Sequence, residues 1–324
     1  MSAPRVAVAG VVRRRQGIGE HLARFLVRHG AEVPAFLCSR RESVAEGRAV
    51  LASHGIDAAG HLSLTEALAH GRLDALVIAS PAGTHAALLD AALEAGLHVL
   101  CEKPLVWDGP DVPGRSAAYV EAFAARGLLL FENTQWPFTL PAYRALHPGM
   151  GETPPRHFEM WLSPREGDAA DMLKECVSHP LSLLQSLAPP PAGAGPLLAG
   201  LAFRAASAAA DRIEVAFRHP GGDGIAVRVR LAQCREQPRP AGYAVDGRAA
   251  ERRVRMSDYA QTFEHGGRSV DVPDPTDALV ASFVAALGGA APPDLPVHGP
   301  ALSWRARAAW EIVAGFERCR DRGA

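Results

Sequence analysis

Residues 77–105, VIASPAGTHAALLDAALEAGLHVLCEKPL, constrain this 324-residue chain more than any other stretch. An apolar run from Ala75 to Ala79 stops at Ser80-Pro81-Ala82-Gly83. Ala87, Leu88, Ala91, Ala92 and Ala95 then follow at mixed three- and four-residue spacings, which predicts a helix, and Gly96 ends it. Leu97–Cys101 reads as a second buried strand, with Glu102-Lys103-Pro104 just past its carboxyl end. Strand, helix and strand in this order form one parallel unit. Ligands bind at the carboxyl ends of strands in an open parallel sheet. A lysine held there beside a stiff proline is placed for chemistry.

The same alternation runs through the first 130 or so residues. Val6–Ala9 and Glu32–Cys38 read as strands, and Ile18, Leu22, Phe25 and Leu26 form the apolar face of a helix. Leu64–Ala69 reads as a short helix. Val120, Phe123 and Ala124 suit another, Gly127 ends it, and Leu128–Phe131 make a fifth strand. Repeated βαβ units predict a doubly wound parallel sheet over residues 1–134. Past that point the period becomes two. Ile213, Val215 and Phe217 alternate with polar neighbours, as do Ile225, Val227, Val229 and Leu231, with Arg228 and Arg230 on the opposite face. Pro/Gly-rich stretches at 188–196, 235–242 and 287–299 read as loops, and Phe283–Leu287 and Ala301–Arg318 as closing helices. Residues 135–324 are therefore expected to form an α/β domain around a large, mainly antiparallel open sheet. One face of that sheet is available to another subunit, so a homodimer or larger homo-oligomer is expected.

A net charge of −1 suggests no nucleic-acid or membrane-surface partner, and no apolar run approaches a membrane span. Cysteines 38, 101, 176, 234 and 319 are odd in number and not closely paired, so neither a disulfide framework nor a zinc site is expected, and no metal. The first strand starts almost at once, leaving no room for a signal peptide, and a cytoplasmic protein is expected.

In a doubly wound fold the first turn carries the glycines that let backbone approach a pyrophosphate at a helix N-terminus. Here Gly10 is followed by Val11-Val12-Arg13-Arg14-Arg15-Gln16 and then Gly17-Ile18-Gly19, a longer and irregular loop. Gly10, Arg13, Arg14, Gly17, Ile18 and Gly19 are the candidate pyrophosphate contacts, the arginines by charge-assisted hydrogen bonds. The bland alternative is a solvated basic loop over a degraded site. The second strand ends in Ser39-Arg40-Arg41 with no acid for a ribose 2′-hydroxyl, which suits a 2′-phosphate and predicts NADP(H), with NAD(H) as the second choice. Ser80, Pro81, His85, Glu102 and Lys103 border the cofactor. His85 reads more simply as a helix-start residue, and Glu102 as a residue that shapes its turn.

The strand, the proline turn with His85, the Ala-rich helix, Ala-Gly-x-His-Val and Glu-Lys-Pro together closely resemble the glucose–fructose oxidoreductase/inositol dehydrogenase (Gfo/Idh/MocA) family of nicotinamide-dependent oxidoreductases. The resemblance implies a Rossmann-type domain followed by a sheet domain, matching the reading above. It implies that Lys103 lies beside the nicotinamide and substrate, with a Lys-Pro bond that is often cis. It also implies an acid four residues before a histidine early in the second domain, here Glu175 and His179. The match there is imperfect, because Glu replaces the commoner Asp. Pro180 cannot sit deep in a helix, so one is expected to begin near Ser178, with Glu175 before it. Asn133, Gln135 and Trp136 follow the fifth strand where family members line the substrate pocket; Trp136 suits stacking on a sugar ring or core packing equally.

The expected function is hydride transfer between a nicotinamide and a hydroxyl, carbonyl or imine carbon of a small polar metabolite such as a sugar or cyclitol. Lys103 handles the proton, and His179 assists or positions substrate. The alternatives are glycoside cleavage through transient oxidation by tightly held NAD, or a non-catalytic dinucleotide-binding protein.

Overall fold

Short strands, apolar on both faces and joined by helices, build the first sheet. The computed structural model describes residues 2–12, 18–150, 153–191, 197–205 and 210–322. In chain order the first elements are β1 (Arg5–Ala9), α1 (Gly19–Arg28), β2 (Glu32–Leu37), α2 (Glu42–Ala52), β3 (Ala59–His61) and α3 (Leu64–His70). Then come β4 (Ala75–Ile78), α4 (His85–Ala95), β5 (His98–Cys101), α5 (Val112–Ala125) and β6 (Leu130–Glu132). The six strands are parallel in the order β3-β2-β1-β4-β5-β6. This is the doubly wound Rossmann order, whose direction reverses beside β1. Val6, Val8, Leu76 and Val77 are wholly buried, as strands covered on both faces must be.

Local chemistry sets the helix ends. The Ser63 side chain accepts the Glu66 N–H at the start of α3, and Asp111 accepts that of Gly114 at the start of α5. Gly96 closes α4 in the left-handed region at φ 71°.

The second sheet is larger. Its elements are α6 (Leu140–Leu146), β7 (His157–Leu162), α7 (Ala169–Cys176), α8 (Ser178–Leu187), β8 (Ala199–Ala205), β9 (Arg212–His219) and β10 (Ile225–Ala232). They continue with β11 (Ala241–Val245), β12 (Arg248–Arg255), β13 (Ala260–His265) and β14 (Arg268–Val272); α9 (Pro275–Leu287) and α10 (Pro300–Arg322) follow in the chain. Strand order is β14-β13-β12-β11-β7-β10-β9-β8, and only the β7–β10 pair is parallel among the described residues. The mixed, mainly antiparallel sheet agrees with the period-two reading. Ile213, Val215, Phe217, Val227 and Val229 point inward, while on the other face Arg230 pairs with Glu159 at 2.5 Å. Exposed pairs of this kind contribute about 0–1 kcal/mol each.

The chain divides into two compact units, Met1–Asn133 with Thr276–Ser303, and Thr134–Pro275 with Trp304–Ala324. Residues 276–303 thus pack with the first unit, although the sequence reading places them in the second domain. Phe283 meets Phe131 edge-on at 5.3 Å, and Val297 C=O accepts the Glu132 N–H at 2.8 Å, which covers the outer edge of β6.

Candidate functional site

Gly10 ends β1 at φ 93°, a conformation side chains rarely adopt. A Cβ there would lie 2.6 Å from Ser80 N and 2.7 Å from Ala79 O, so the ends of β1 and β4 touch backbone to backbone. At Gly19, the first residue of α1, a Cβ would fall 2.6 Å from Gly10 O. Gly19 therefore lets the helix start close against the end of β1, the close-packing role of the third glycine in the dinucleotide pattern. Ile18 is the cap residue of α1. The cradle fits a dinucleotide: a glycine turn at the switch point and a helix N-terminus beside it. Arg13, Arg14 and Gly17 lie outside the described residues.

The Glu102-Lys103-Pro104 turn is pinned from four directions. The Glu102 N–H donates to Ile78 O at 2.8 Å, extending the β4–β5 ladder. The carboxylate of Glu132, at the end of β6 and only 4% exposed, accepts the Leu105 N–H at 3.0 Å. Asn133 donates from its side-chain amide to Glu102 Oε1, and from its backbone to Cys101 O at 2.8 Å. The imidazole of His85 spans two carbonyl oxygens, Ser80 O from Nε2 and Pro104 O from Nδ1, each at 2.9 Å. Carbonyls only accept, so a neutral ring serves one of them and an imidazolium serves both. His85 thus ties the proline turn after β4 to the lysine turn after β5, a larger task than starting a helix. The Lys103–Pro104 peptide is cis. Lys103 itself is half-buried. Burial, then Glu132 and Glu102, push the Cys101 thiol well above its ordinary value and leave it an inert core residue.

In the second unit, α7 ends at Cys176 and α8 begins at Ser178, with right-handed helical backbone at Val177 between them. The expected start at Ser178 is observed, but Glu175 lies in the last turn of a helix of its own and is exposed. His179 is half-buried, its ring 6.4 Å from that of Trp136. Trp136 is 4% exposed and packs edge-on against Tyr243 at 6.0 Å, which favours core packing over a sugar platform. Gln135 Oε1 is buried without a hydrogen-bond partner.

Two residues escaped the sequence reading. Glu132 had a signal, an acid ending an apolar strand. Arg252 had none, because Arg248–Arg255 shows no strand period and its inward-facing position is seen only once β12 is in the sheet. Its guanidinium carbon lies 5.5 Å from the centroid of the Trp136 ring.

A family model described as "Oxidoreductase family, NAD-binding Rossmann fold" and named GFO_IDH_MocA matches residues 5–132. Over that first part of its length the chain is similar to the Gfo/Idh/MocA oxidoreductases. Inositol 2-dehydrogenase 1 of Paenarthrobacter aurescens is 42% identical over 125 residues, 38% of this chain and 34% of that enzyme. The matched region thus spans about a third of that curated relative. Solved structures extend the likeness to the whole fold. UDP-N-acetylglucosamine 3-dehydrogenase from Acidithiobacillus ferrooxidans aligns over 97% of this chain and 98% of its own, with a TM-score of 0.70 at 20% identity. The WlbA dehydrogenase of Thermus thermophilus, in complex with NAD and UDP-GlcNAcA, covers 96% of this chain and 94% of its own, with a TM-score of 0.65 at 17% identity. Its Bordetella pertussis counterpart, with NADH and UDP-GlcNAcA, covers 100% of this chain and 97% of its own, with a TM-score of 0.68 at 16% identity.

These two complexes overturn the expected NADP(H) preference, since they hold NAD and NADH. The physical reason lies after β2. Ser39, Arg40 and Arg41 are all exposed, Arg41 caps α2, and among the described residues no hydrogen bond holds either guanidinium in place. A phosphate clamp needs a fixed two-pronged fork. A loose arginine can instead lie over an adenine ring in either cofactor.

Proposed function

We propose that this chain is an NAD(H)-dependent oxidoreductase acting on a hydroxyl or carbonyl carbon of a sugar-like metabolite. The observation that carries the reading is the pinned turn of Lys103, fixed by His85, Glu132 and Asn133 at the carboxyl end of a parallel strand. The named activities of the relatives, inositol and nucleotide-sugar dehydrogenases, support the substrate class.

In this reading Gly10, Ile18 and Gly19 hold the pyrophosphate at the start of α1, and Ser80 and Pro81 border the cofactor. When bound, NAD supplies the hydride acceptor. Lys103 acts at the substrate oxygen. During oxidation its amine takes the hydroxyl proton as the hydride leaves the carbon, and during reduction the ammonium gives that proton back to the oxygen on which negative charge develops. Fixing the turn beforehand means that little reorganisation is needed when the charge appears. His179 binds or orients the substrate within the second unit.

Substituting Lys103→Met keeps roughly the length of the side chain and removes its charge and protons. With an alcohol that reduces NAD⁺, chosen from cyclitols, aldoses, sugar acids and nucleotide sugars, kcat is expected to fall by about 10²–10⁴. The NADH dissociation constant, read by fluorescence titration, is expected to change far less. A variant that turns over at the parent rate overturns the assignment. A parent that binds no NADH overturns the function.

A further inference from the structure

Arg252 is out of place for a structural residue. Along β12 the side chains alternate, and Ala250 and Arg252 share the inward face. Ala250 is wholly buried, and the cross-strand neighbours of Arg252, Ala241 on β11 and Phe263 on β13, are buried as well. A cation on that face is normally matched by a carboxylate. Among the described residues, none lies within ion-pair distance of Arg252. The charged group that acts on it is Arg239, of the same sign, and burial followed by Arg239 pulls the guanidinium below its ordinary value. One Nη sits 3.5 Å from Arg239 O, at the limit of a hydrogen bond, and Nε is buried with no partner. Nε and one Nη make the edge by which a guanidinium grips an oxyanion in two-pronged fashion. The cation lies over Trp136, whose ring neighbours His179, and Gln135 beside Trp136 carries a second orphaned polar atom.

We propose that Arg252, aided by Arg239, binds an anionic oxygen group of the substrate, a carboxylate or phosphate, so that the chain takes an acidic sugar derivative and not a neutral cyclitol. The inference rests on the oxidoreductase reading and narrows its substrate class. Trp136 holds the guanidinium from one side by a cation–π contact and leaves the Nε edge for the ligand. A carboxylate can come from a sugar acid and a phosphate from a sugar phosphate or nucleotide sugar; the same fork fits both, and the test separates them.

The full chain is titrated calorimetrically, with NADH present, against glucuronate, glucose 6-phosphate, UDP-glucose and neutral myo-inositol. The same compounds are assayed with NAD⁺ for NADH formation. At least one anion is expected to bind at least tenfold more tightly than myo-inositol, and the member that does so names the source. Arg252→Gln is expected to weaken that anion by tenfold or more, raising KM with kcat little changed, while Arg252→Lys recovers part of the loss. Myo-inositol is expected to be indifferent to both changes. Thermal melts check that the variants fold, and the parent titration does not depend on them. If no anion outbinds myo-inositol in the parent, or if Arg252→Gln binds the anion as the parent does, the inference is wrong even where NADH forms. If the anion binds through Arg252 but no compound in the wider panel reduces NAD⁺, the subsite stands and the oxidoreductase reading fails.

Discussion

Glu132 shows how a single buried atom can govern a distant side chain. Its Oε1 is the acceptor for Leu105 N–H, two residues beyond Lys103. Replacing it with leucine of similar size leaves that N–H buried without a partner, which costs about 1–3 kcal/mol. The turn then settles where its amide finds water, and Lys103 moves with it. Glu132→Leu is expected to lower the urea midpoint and to depress kcat, and Glu132→Gln, which keeps an oxygen at the same place, to restore most of both. Equal stability and turnover for Glu132→Leu and the parent would show that the turn holds itself. At this scale the sequence was only partly legible. Lys103 was visible because Glu-Lys-Pro sits on a strand end. His85, Asn133 and Glu132 gave no hint of their joint grip on that turn, because residues 85, 102, 104 and 132 meet only once the strands are laid side by side.

Among the elements, β5 carries a built-in sensitivity to acid. His98 Nδ1 accepts the Leu129 N–H at 2.9 Å just before β6, so the ring must stay neutral there. Burial pulls its pKa below the ordinary 6.5, with Asp74 opposing. His219, wholly buried with Nε2 donating to Ala188 O at 2.8 Å, is lowered for the same reason. A histidine lowered in the folded state binds fewer protons there than in the unfolded chain. Its contribution is complete above the ordinary value and is lost as pH falls through the folded one. Tm is therefore expected to fall as pH drops below about 6.5, and His98→Gln, which retains an acceptor, to flatten the slope. A slope identical in parent and variant would clear His98 of any part in it. The elements that sequence reading recovered are those with a strong period, such as β9, β10 and α1. It missed β3, whose Ala59-Gly60-His61 is too short and too small to show one. It also missed β12, where Arg-Ala-Ala-Glu-Arg-Arg-Val-Arg buries little and the inward arginine breaks the alternation.

For the molecule as a whole, the return of residues 276–303 to the first unit makes both units discontinuous, since Trp304–Ala324 goes back to the second. A fragment ending at residue 134 lacks Phe283, Val297 and His298, which cover Phe131 and the edge of β6. Unpaired strand edges template association. Such a fragment is expected to aggregate or to melt far below the parent, and a circular permutant or fusion that restores 276–303 to behave. A monomeric, cooperatively melting 1–134 fragment would remove this account. The consequence reaches back to synthesis. Translation proceeds at roughly 5–20 residues per second, and the stretch from β6 to Val297 is some 165 residues long. The nascent first unit must therefore wait on the order of ten to thirty seconds with one flank of its sheet bare. During that interval on the ribosome it offers a strand edge to neighbouring nascent chains, and the delay closes only once Val297 has left the tunnel.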